Sequence, residues 1–136
     1  MKKVTLLLMF VFCLGLTGCS KDAEINAFIT EFESVTKEIT SKIDADASAE
    51  GIAAAQKAFD GKKVGLKAKW DAIKDAVGFQ VSADTKKKLE DSVTNNMKSL
   101  MDVSMKNASK MAESDGAITK FEALMKDYQS TFGEAK

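Results

Sequence analysis

Residues 22–43 read DAEINAFITEFESVTKEITSKI, and the spacing of the large apolar side chains in this stretch decides the fold. These side chains recur in steps of three and four, which places them on one face of an α-helix and leaves Glu24, Glu31 and Glu38 on the other face. The apolar stripe consists of Ile25, Phe28, Ile29, Phe32, Val35, Ile39 and Ile43. The stretch therefore predicts an amphipathic helix that buries one face.

Three further segments, at about 48–77, 82–113 and 115–132, show the same helical spacing. In the second segment apolar residues recur every seven positions, which is typical of a seam between helices in a bundle. The second and third segments each have about thirty residues, so we expect them to form a central hairpin roughly 45 Å long, along which the shorter segments pack. The predicted fold is all-α, an antiparallel bundle of about four helices in a single domain over 22–136.

Short polar residues separate the predicted helices. Ser82 is the best N-cap for the third segment, and Ser114 to Gly116 mark the break before the fourth. Asp44, Asp46 and Ser48 lie between the first two segments in the alternating pattern of a calcium loop. The pattern departs from that loop because Ala occupies both the glycine turn position and the position of the bidentate glutamate. We therefore expect an interhelical loop with capping side chains.

The charges are distributed unevenly over the first two segments. Range 22–50 has eight acidic residues against two lysines, whereas range 57–74 has six lysines against two acids. Opposite charge favours adjacent helices, although each exposed ion pair contributes well under about 1 kcal/mol. The six lysines are Lys57, Lys62, Lys63, Lys67, Lys69 and Lys74. We expect a solvated or internally paired face, and the alternative is contact with anionic headgroups or an acidic polymer.

The composition excludes several classes of function. The chain has no His, no Arg and no Pro, and its formal net charge is zero. Without His it lacks the commonest metal ligand and the usual general base, and without Arg it lacks bidentate phosphate recognition. A neutral chain also lacks the cationic surface that nucleic-acid binding needs. The sequence thus predicts no catalytic residues, no metal, no cofactor and no nucleic-acid partner.

The N-terminus has the organisation of an export signal. Lys2 and Lys3 precede a thirteen-residue apolar run from Val4 to Leu16, interrupted only by Thr5 and Gly15. As a helix this run is roughly 20 Å long, which is short of the ~30 Å hydrocarbon core of a bilayer. The length therefore favours a cleaved signal peptide over a permanent membrane span.

The next residues, Leu16-Thr17-Gly18-Cys19, resemble the lipobox of bacterial lipoproteins. The resemblance implies that residues 1–18 are removed, that Cys19 receives a diacylglyceryl group, and that its new amine is acylated, typically with palmitate. Several acyl chains make a stable membrane anchor where one is marginal. Residues 19–21 would then be the lipidated end and a short tether. The alternative is an ordinary secreted protein whose signal ends in Cys.

Processing of this kind has two consequences. Cys13 leaves with the signal and Cys19 is consumed by lipid, so the mature chain has no free thiol and no disulfide. Ser20 after the lipidated Cys resembles the sorting pattern for the outer membrane of two-membrane bacteria, whereas Asp there resembles an inner-membrane retention signal. We therefore expect a bacterial envelope lipoprotein at the outer membrane.

Two groups of residues inside the domain have both a structural and a functional interpretation. Met97, Met101 and Met105 are spaced by four, and with Trp70 they are expected in the core; the alternative is an adaptable ligand or partner face. Gly61 and Gly65 continue a small-residue stripe that begins with Ala54 and Ala58. We expect a neighbouring helix to approach there, and the alternative is a break in the second helix.

The leading functional hypothesis is a non-catalytic envelope lipoprotein that binds an envelope protein or polymer through a helical face. The alternative is a carrier or sensor of an apolar ligand held in the bundle core near the methionines and Trp70.

Overall fold

The computed structural model describes residues 21–77 and 80–132, which form five helices and, within these two ranges, no strand. The predicted signal peptide, the predicted cleavage motif and Cys19 lie outside the described residues. The helices are α1 (Asp22–Ala45), α2 (Ala49–Ile73), α3 (Ala83–Lys106), α4 (Ala108–Glu113) and α5 (Ala117–Phe132). The prediction of an all-helical fold is confirmed.

Helix starts and stops follow the predicted polar residues. Ser48 and Ser82 are the N-caps of α2 and α3, and their hydroxyls accept hydrogen bonds from the amides of Gly51 and Thr85. Gly116 has a positive φ of 76° in the turn that leads into α5, a conformation that glycine adopts without strain. The helices begin within about two residues of the expected positions, whereas α2 ends at Ile73, about four residues earlier than expected.

The third predicted segment is divided at Asn107, where α3 ends and α4 begins. The buried Asn107 side chain donates to the carbonyl oxygen of Val103 at 3.0 Å and to a carboxylate oxygen of Asp44 at 3.2 Å. A side chain that bonds the backbone of the preceding turn competes with helix continuation. The interruption therefore results from side-chain chemistry that the apolar spacing does not show.

Contacts between the ends of the helices show which helices run parallel and which run antiparallel. The rings of Phe28 and Trp70 lie 5.5 Å apart, so the start of α1 meets the end of α2 and the two helices are antiparallel. Asp22 accepts from the Ser82 amide, and Asp44 pairs with Lys106, so α1 and α3 run parallel. Helix α5 runs parallel to α2, because its first turns lie beside the start of α2.

The expected central hairpin of the second and third segments is wrong. Helix α1 packs closely against both α2 and α3, and α5 packs closely against α2, but α2 and α3 are not a closely packed pair. The reason is the breadth of the apolar face of α1, whose large side chains are all buried. An apolar face this broad packs against two neighbouring helices, whereas the length of a helix gives no information about which helix it packs against.

The core is richest in aromatic side chains where α1, α2 and α5 meet. Tyr128 of α5 lies within 5.6 Å, ring centre to ring centre, of Phe32 and of Phe59. Phe132 stacks edge-on against Phe32 at 4.7 Å. Aromatic pairs at these distances contribute beyond the apolar area they bury. These three helices therefore carry most of the apolar packing.

The contact between α3 and α1 is more polar than the aromatic core between α1, α2 and α5. Four polar side chains of the third predicted segment are buried, namely Thr85, Ser92, Asn96 and Asn107. Ser92 Oγ and Asn96 Nδ2 have no hydrogen-bond partner. A buried polar atom without a partner costs about 1–3 kcal/mol. The packing of α3 on the bundle is therefore less stable than the packing of α2 or α5.

Both glycines of the small-residue stripe face open space. Helix α2 continues through Gly61 and Gly65, and a Cβ atom built at either position would meet nothing within 4 Å. The expected close approach of a neighbouring helix is wrong, and so is the alternative of a break. Among the glycines in the described ranges, Gly51 alone is crowded, because a Cβ there would lie 1.9 Å from the carbonyl oxygen of Asp46.

Candidate interaction surfaces

The start of α1 is fixed to the turn before α3. The Lys21 amide donates to the carbonyl oxygen of Gln80 at 3.0 Å, and the Ser82 amide donates to Asp22 Oδ1 at 2.9 Å. Cys19, the predicted lipidation site, is two residues before Lys21, and it lies with Leu16, Thr17 and Gly18 outside the described residues. The described chain therefore begins at one end of the helical assembly.

The methionine row, which consists of Met97, Met101 and Met105, lies at the edge of the core and not inside it. Met97 is partly buried against the core, but Met101 is 55% exposed and Met105 is 66% exposed. The prediction of core positions is therefore wrong for these two residues. The buried stripe of α3 is centred on Leu89, Asn96 and Leu100, and a spacing of four makes the methionine row drift away from it along the helix.

Two further apolar side chains are exposed, and one of them, Val93, continues the methionine row at a spacing of four. Val93 is 41% exposed on α3, and Ile118 is 50% exposed at the start of α5. The apolar spacing of the third and fourth segments did not show that α5 would pack against α2 instead of covering α3. Val93, Met101 and Met105 lie on one side of α3, and exposed apolar side chains that cluster mark interaction sites more often than isolated ones.

Trp70 is not part of the methionine surface. Its ring is buried and packs against Phe28 in the seam between α1 and α2. Met97 lies on α3, which packs against α1 but not closely against α2. The structure therefore does not bring Trp70 and the methionines together around one ligand site.

The six lysines of α2 divide into paired and unpaired members. Lys69 contacts Glu31 of α1, Lys63 contacts Asp127 of α5, and Lys67 and Lys74 both contact Asp71 of their own region at 2.9 Å. Their hydrogen bonds lower the pKa of the Asp71 carboxyl. Among the described residues, Lys57 and Lys62 have no ion-pair or hydrogen-bond partner. The ion pair between Lys69 and Glu31 thus supports the packing of α1 against α2. Two of the six lysines, Lys57 and Lys62, remain free to bind an anion.

The loop between α1 and α2 uses its acidic side chains for capping. Asp46 Oδ1 accepts from the Ser48 amide at 2.9 Å, and this bond lowers the pKa of the Asp46 carboxyl. Hydrogen bonds from Lys106 and then Asn107 lower the pKa of Asp44. These carboxylates thus have protein partners in the loop. Among the residues of 21–77 and 80–132, no group of three His, Cys, Asp or Glu side chains is placed to hold a metal ion.

Two open grooves are lined by charged side chains. One of about 250 Å³ lies between α1 and α3 beside Asp44, Asp102 and Lys106, and one of about 440 Å³ lies between α2 and α5. In the larger groove the Gln56 amide donates to Asp60 and to Asp127, both at 2.9 Å. The main polar groups of both grooves are therefore already paired with each other.

The most strongly shifted ionisable group is part of the core. The Tyr128 hydroxyl lies 2.5 Å from Thr36 Oγ1, and burial raises the pKa of Tyr128 well above its ordinary value. A tyrosine whose pKa is raised stays protonated at neutral pH and is not a nucleophile. We assign it a structural role.

No helix in the described part of the chain is long and apolar enough to span a membrane. Comparison of the chain with protein-family models, with curated proteins and with solved structures finds no match.

Proposed function

We propose that this protein is a membrane-anchored envelope lipoprotein that has no catalytic role and binds an envelope protein or polymer through a helical face. The observation that carries the anchor is the Leu16-Thr17-Gly18-Cys19 motif, placed after an apolar run and two residues before the start of the described chain. The order and spacing match the lipobox of bacterial lipoproteins. Ser20 favours the outer membrane in a two-membrane cell.

The proposed binding face consists of Met101, Met105 and Ile118. All three are at least half exposed, although they lie beside a core whose other large side chains are mostly buried. Methionine side chains are flexible and polarisable, which suits a surface that adapts to a partner. The exposed methionines lie near the end of α3, roughly 25–35 Å along the molecule from the start of α1. A short tether at Cys19 would present this face away from the membrane.

The anchor is tested by labelling the protein with a palmitate analogue in a two-membrane bacterium and separating the membranes. We expect the wild type to carry the label and to be found in the outer membrane. Cys19→Ala should lose the label and leave the membrane fraction, whereas Cys13→Ala should behave as the wild type. Label retained by Cys19→Ala would refute the lipid anchor. In a companion variant, Ser20→Asp should move the labelled protein to the inner membrane.

The binding face is tested by chemical crosslinking in the native envelope. We expect a discrete crosslinked species in the wild type that is lost in Met101→Asp and Met105→Asp. Val64→Asp is the matched control, because Val64 is an apolar side chain of α2 that is 80% exposed and lies outside the proposed face. Loss of the species in all three variants, or in none, would show that the proposed face is wrong.

A further inference from the structure

The methionines in the described ranges differ widely in their exposure to solvent. Met101 is 55% exposed and Met105 is 66% exposed, and both belong to the proposed binding face. Met97 and Met125 are partly buried against the core, and Met111 is only 2% exposed. A peroxide oxidises a thioether sulfur only where the two make contact, so exposure sets the order in which methionines react. We therefore expect Met101 and Met105 to react first and Met111 last.

The other oxidisable side chains in the described ranges are well protected. Trp70 is 7% exposed and Tyr128 is 1% exposed. The chain has no His, and Cys13 and Cys19 lie outside the described residues. In the lipoprotein proposed above, the first cysteine is removed with the signal peptide and the second carries the lipid, so no free thiol is left. Oxidation of the folded domain is thus directed to one side of α3.

Oxidation changes the chemistry that these two side chains present to a partner. Hydrogen peroxide transfers one oxygen atom to the sulfur: the O–O bond breaks, an S–O bond forms and water leaves. The sulfur is oxidised by two electrons and the peroxide is reduced by two. The resulting sulfoxide is polar, whereas the thioether is apolar. A sulfoxide buried in an apolar contact loses its hydrogen bonds to water, so the oxidised face binds its partner more weakly.

The fold does not depend on the sulfur atoms of Met101 and Met105. Both residues lie outside the buried stripe of α3, which includes Leu89 and Leu100. Because both side chains are already largely in water, their oxidation places no polar group in the core. Oxidation of Met111 would do so, at the cost of burying an unpaired polar oxygen. The exposed pair is therefore oxidised and reduced while the bundle stays folded.

We propose that Met101 and Met105 are a reversible oxidation site that controls the binding face: the thioethers bind the partner and the sulfoxides release it. The oxidant is hydrogen peroxide. A methionine sulfoxide reductase reverses the step, in which the oxygen leaves as water and two thiols become a disulfide. This inference rests on the proposed binding face. It deepens that proposal because it links binding to the redox state of the envelope, which is an oxidising compartment in two-membrane bacteria.

The first experiment measures which methionines are oxidised. The full-length protein, purified in detergent, is treated with increasing hydrogen peroxide and digested with trypsin. Cleavage after lysine leaves Met101 and Met105 on peptide 99–106, and it leaves Met97, Met111 and Met125 on three other peptides. We expect peptide 99–106 to gain two oxygen atoms before the other three gain any, with an unchanged circular dichroism spectrum. Equal or slower oxidation of this peptide overturns the inference and leaves the proposed binding face intact.

The second experiment measures binding by the crosslinking assay in permeabilised native envelopes. Peroxide should abolish the crosslinked species of the wild type, and methionine sulfoxide reductase with a dithiol reductant should restore it. The double variant Met101→Leu, Met105→Leu has apolar side chains of similar volume without sulfur, so its crosslinked species should survive peroxide. The double variant Met97→Leu, Met125→Leu is the matched control and should respond as the wild type does.

The untreated wild type shows whether the binding face exists. If it forms no crosslinked species, the proposed face and this inference are both wrong. A species that survives while peptide 99–106 is oxidised overturns the inference alone. So does loss of the species in the Met101→Leu, Met105→Leu variant, because peroxide then acts on the partner. If that variant forms no species before treatment, purified wild-type protein decides: oxidised, freed of peroxide and added to untreated envelope extract, it should form no species, whereas unoxidised protein should form one.

Discussion

The hydroxyls of Thr36 and Tyr128 lie 2.5 Å apart in the buried core and join α1 to α5 across 92 positions of sequence. Thr36 also donates its only hydroxyl proton to the carbonyl oxygen of Phe32 at 2.9 Å. Tyr128 must therefore be the donor in the pair. The direction of this hydrogen bond predicts an asymmetry between the two partners.

Replacing the acceptor should cost more stability than replacing the donor. Tyr128→Phe leaves Thr36 with its bond to Phe32, so we expect a loss of about 0.5–1.5 kcal/mol. Thr36→Val leaves the buried Tyr128 hydroxyl without a partner, so we expect a loss of about 1–3 kcal/mol. Urea unfolding followed by circular dichroism measures both. Thr30→Val is the control, because the exposed Thr30 hydroxyl bonds the backbone in the same way. Equal losses would show that the hydroxyl pair is not a directed bond.

The same tyrosine predicts a loss of stability in alkali. Burial raises the folded-state pKa of Tyr128, while the unfolded chain ionises at its ordinary pKa of about 10. Above that pH the unfolded state releases a proton that the folded state keeps, so the free energy of unfolding falls as pH rises. Lysines also titrate there, so the measurement is the difference between wild type and Tyr128→Phe. We expect the variant to have the shallower pH dependence. Because Tyr128 is the only tyrosine, tyrosinate absorbance should appear only with unfolding.

The glycines of α2 predict opposite effects of one substitution. Gly61→Ala and Gly65→Ala should each stabilise the protein by about 0.5–1 kcal/mol, because both positions are helical and a Cβ meets no atom. Gly51→Ala should destabilise it, because the Cβ would overlap backbone atoms of Asp46. Thermal unfolding of the three variants provides the comparison. Destabilisation by Gly61→Ala would mean that another element approaches α2 there.

Apolar spacing and capping residues were sufficient to predict the helices but not their neighbours. The stripe from Ile25 to Ile43 correctly predicted a buried face, and Ser48 and Ser82 correctly predicted two helix starts. Spacing within one helix does not show which other helix covers it. The second and third segments were therefore paired on length, although α1 has the face that two helices share.

The candidate surfaces depended on the same missing information. Met101 and Met105 belong to a helical apolar row, and such a row is buried only if a neighbour covers it. Helix α5 packs against α2 and leaves these methionines exposed. Gly61 similarly satisfied the pattern of close helix packing but has no neighbour. In both cases the residue type predicted what the surface can contact, and only tertiary structure showed whether the contact is made.

The distribution of polar groups predicts that α3 opens before the other long helices. Helix α3 packs closely only against α1, and buried Ser92 and Asn96 have unpartnered atoms in that contact. Local openings with little apolar burial have low free energies. Native-state hydrogen exchange should therefore show amides of α3 exchanging through a smaller opening free energy than amides of α1 near Phe32. Equal protection of both helices would show that the bundle opens only as a unit.

Ser92 allows the energetic cost of this interface to be measured directly. Its Oγ is buried without a hydrogen-bond partner, so Ser92→Ala removes a desolvated hydroxyl and should stabilise the protein by about 1 kcal/mol or more. Alanine also has the higher helix propensity, by a few tenths of a kcal/mol. Ser99→Ala isolates that contribution, because Ser99 is exposed on the same helix and its hydroxyl bonds the Asn95 carbonyl at 2.8 Å.

The quantity of interest is the difference between the two free energies of unfolding, measured with urea under identical conditions. A larger increase in the free energy of unfolding for Ser92→Ala than for Ser99→Ala confirms that the buried Ser92 hydroxyl lacks a hydrogen-bond partner and destabilises the contact between α1 and α3. A smaller gain would contradict it, because the hydroxyl must then be satisfied. Ser92→Ala should also raise the opening free energy of α3 amides in hydrogen exchange while leaving those of α5 unchanged, since α3 and α5 are not closely packed.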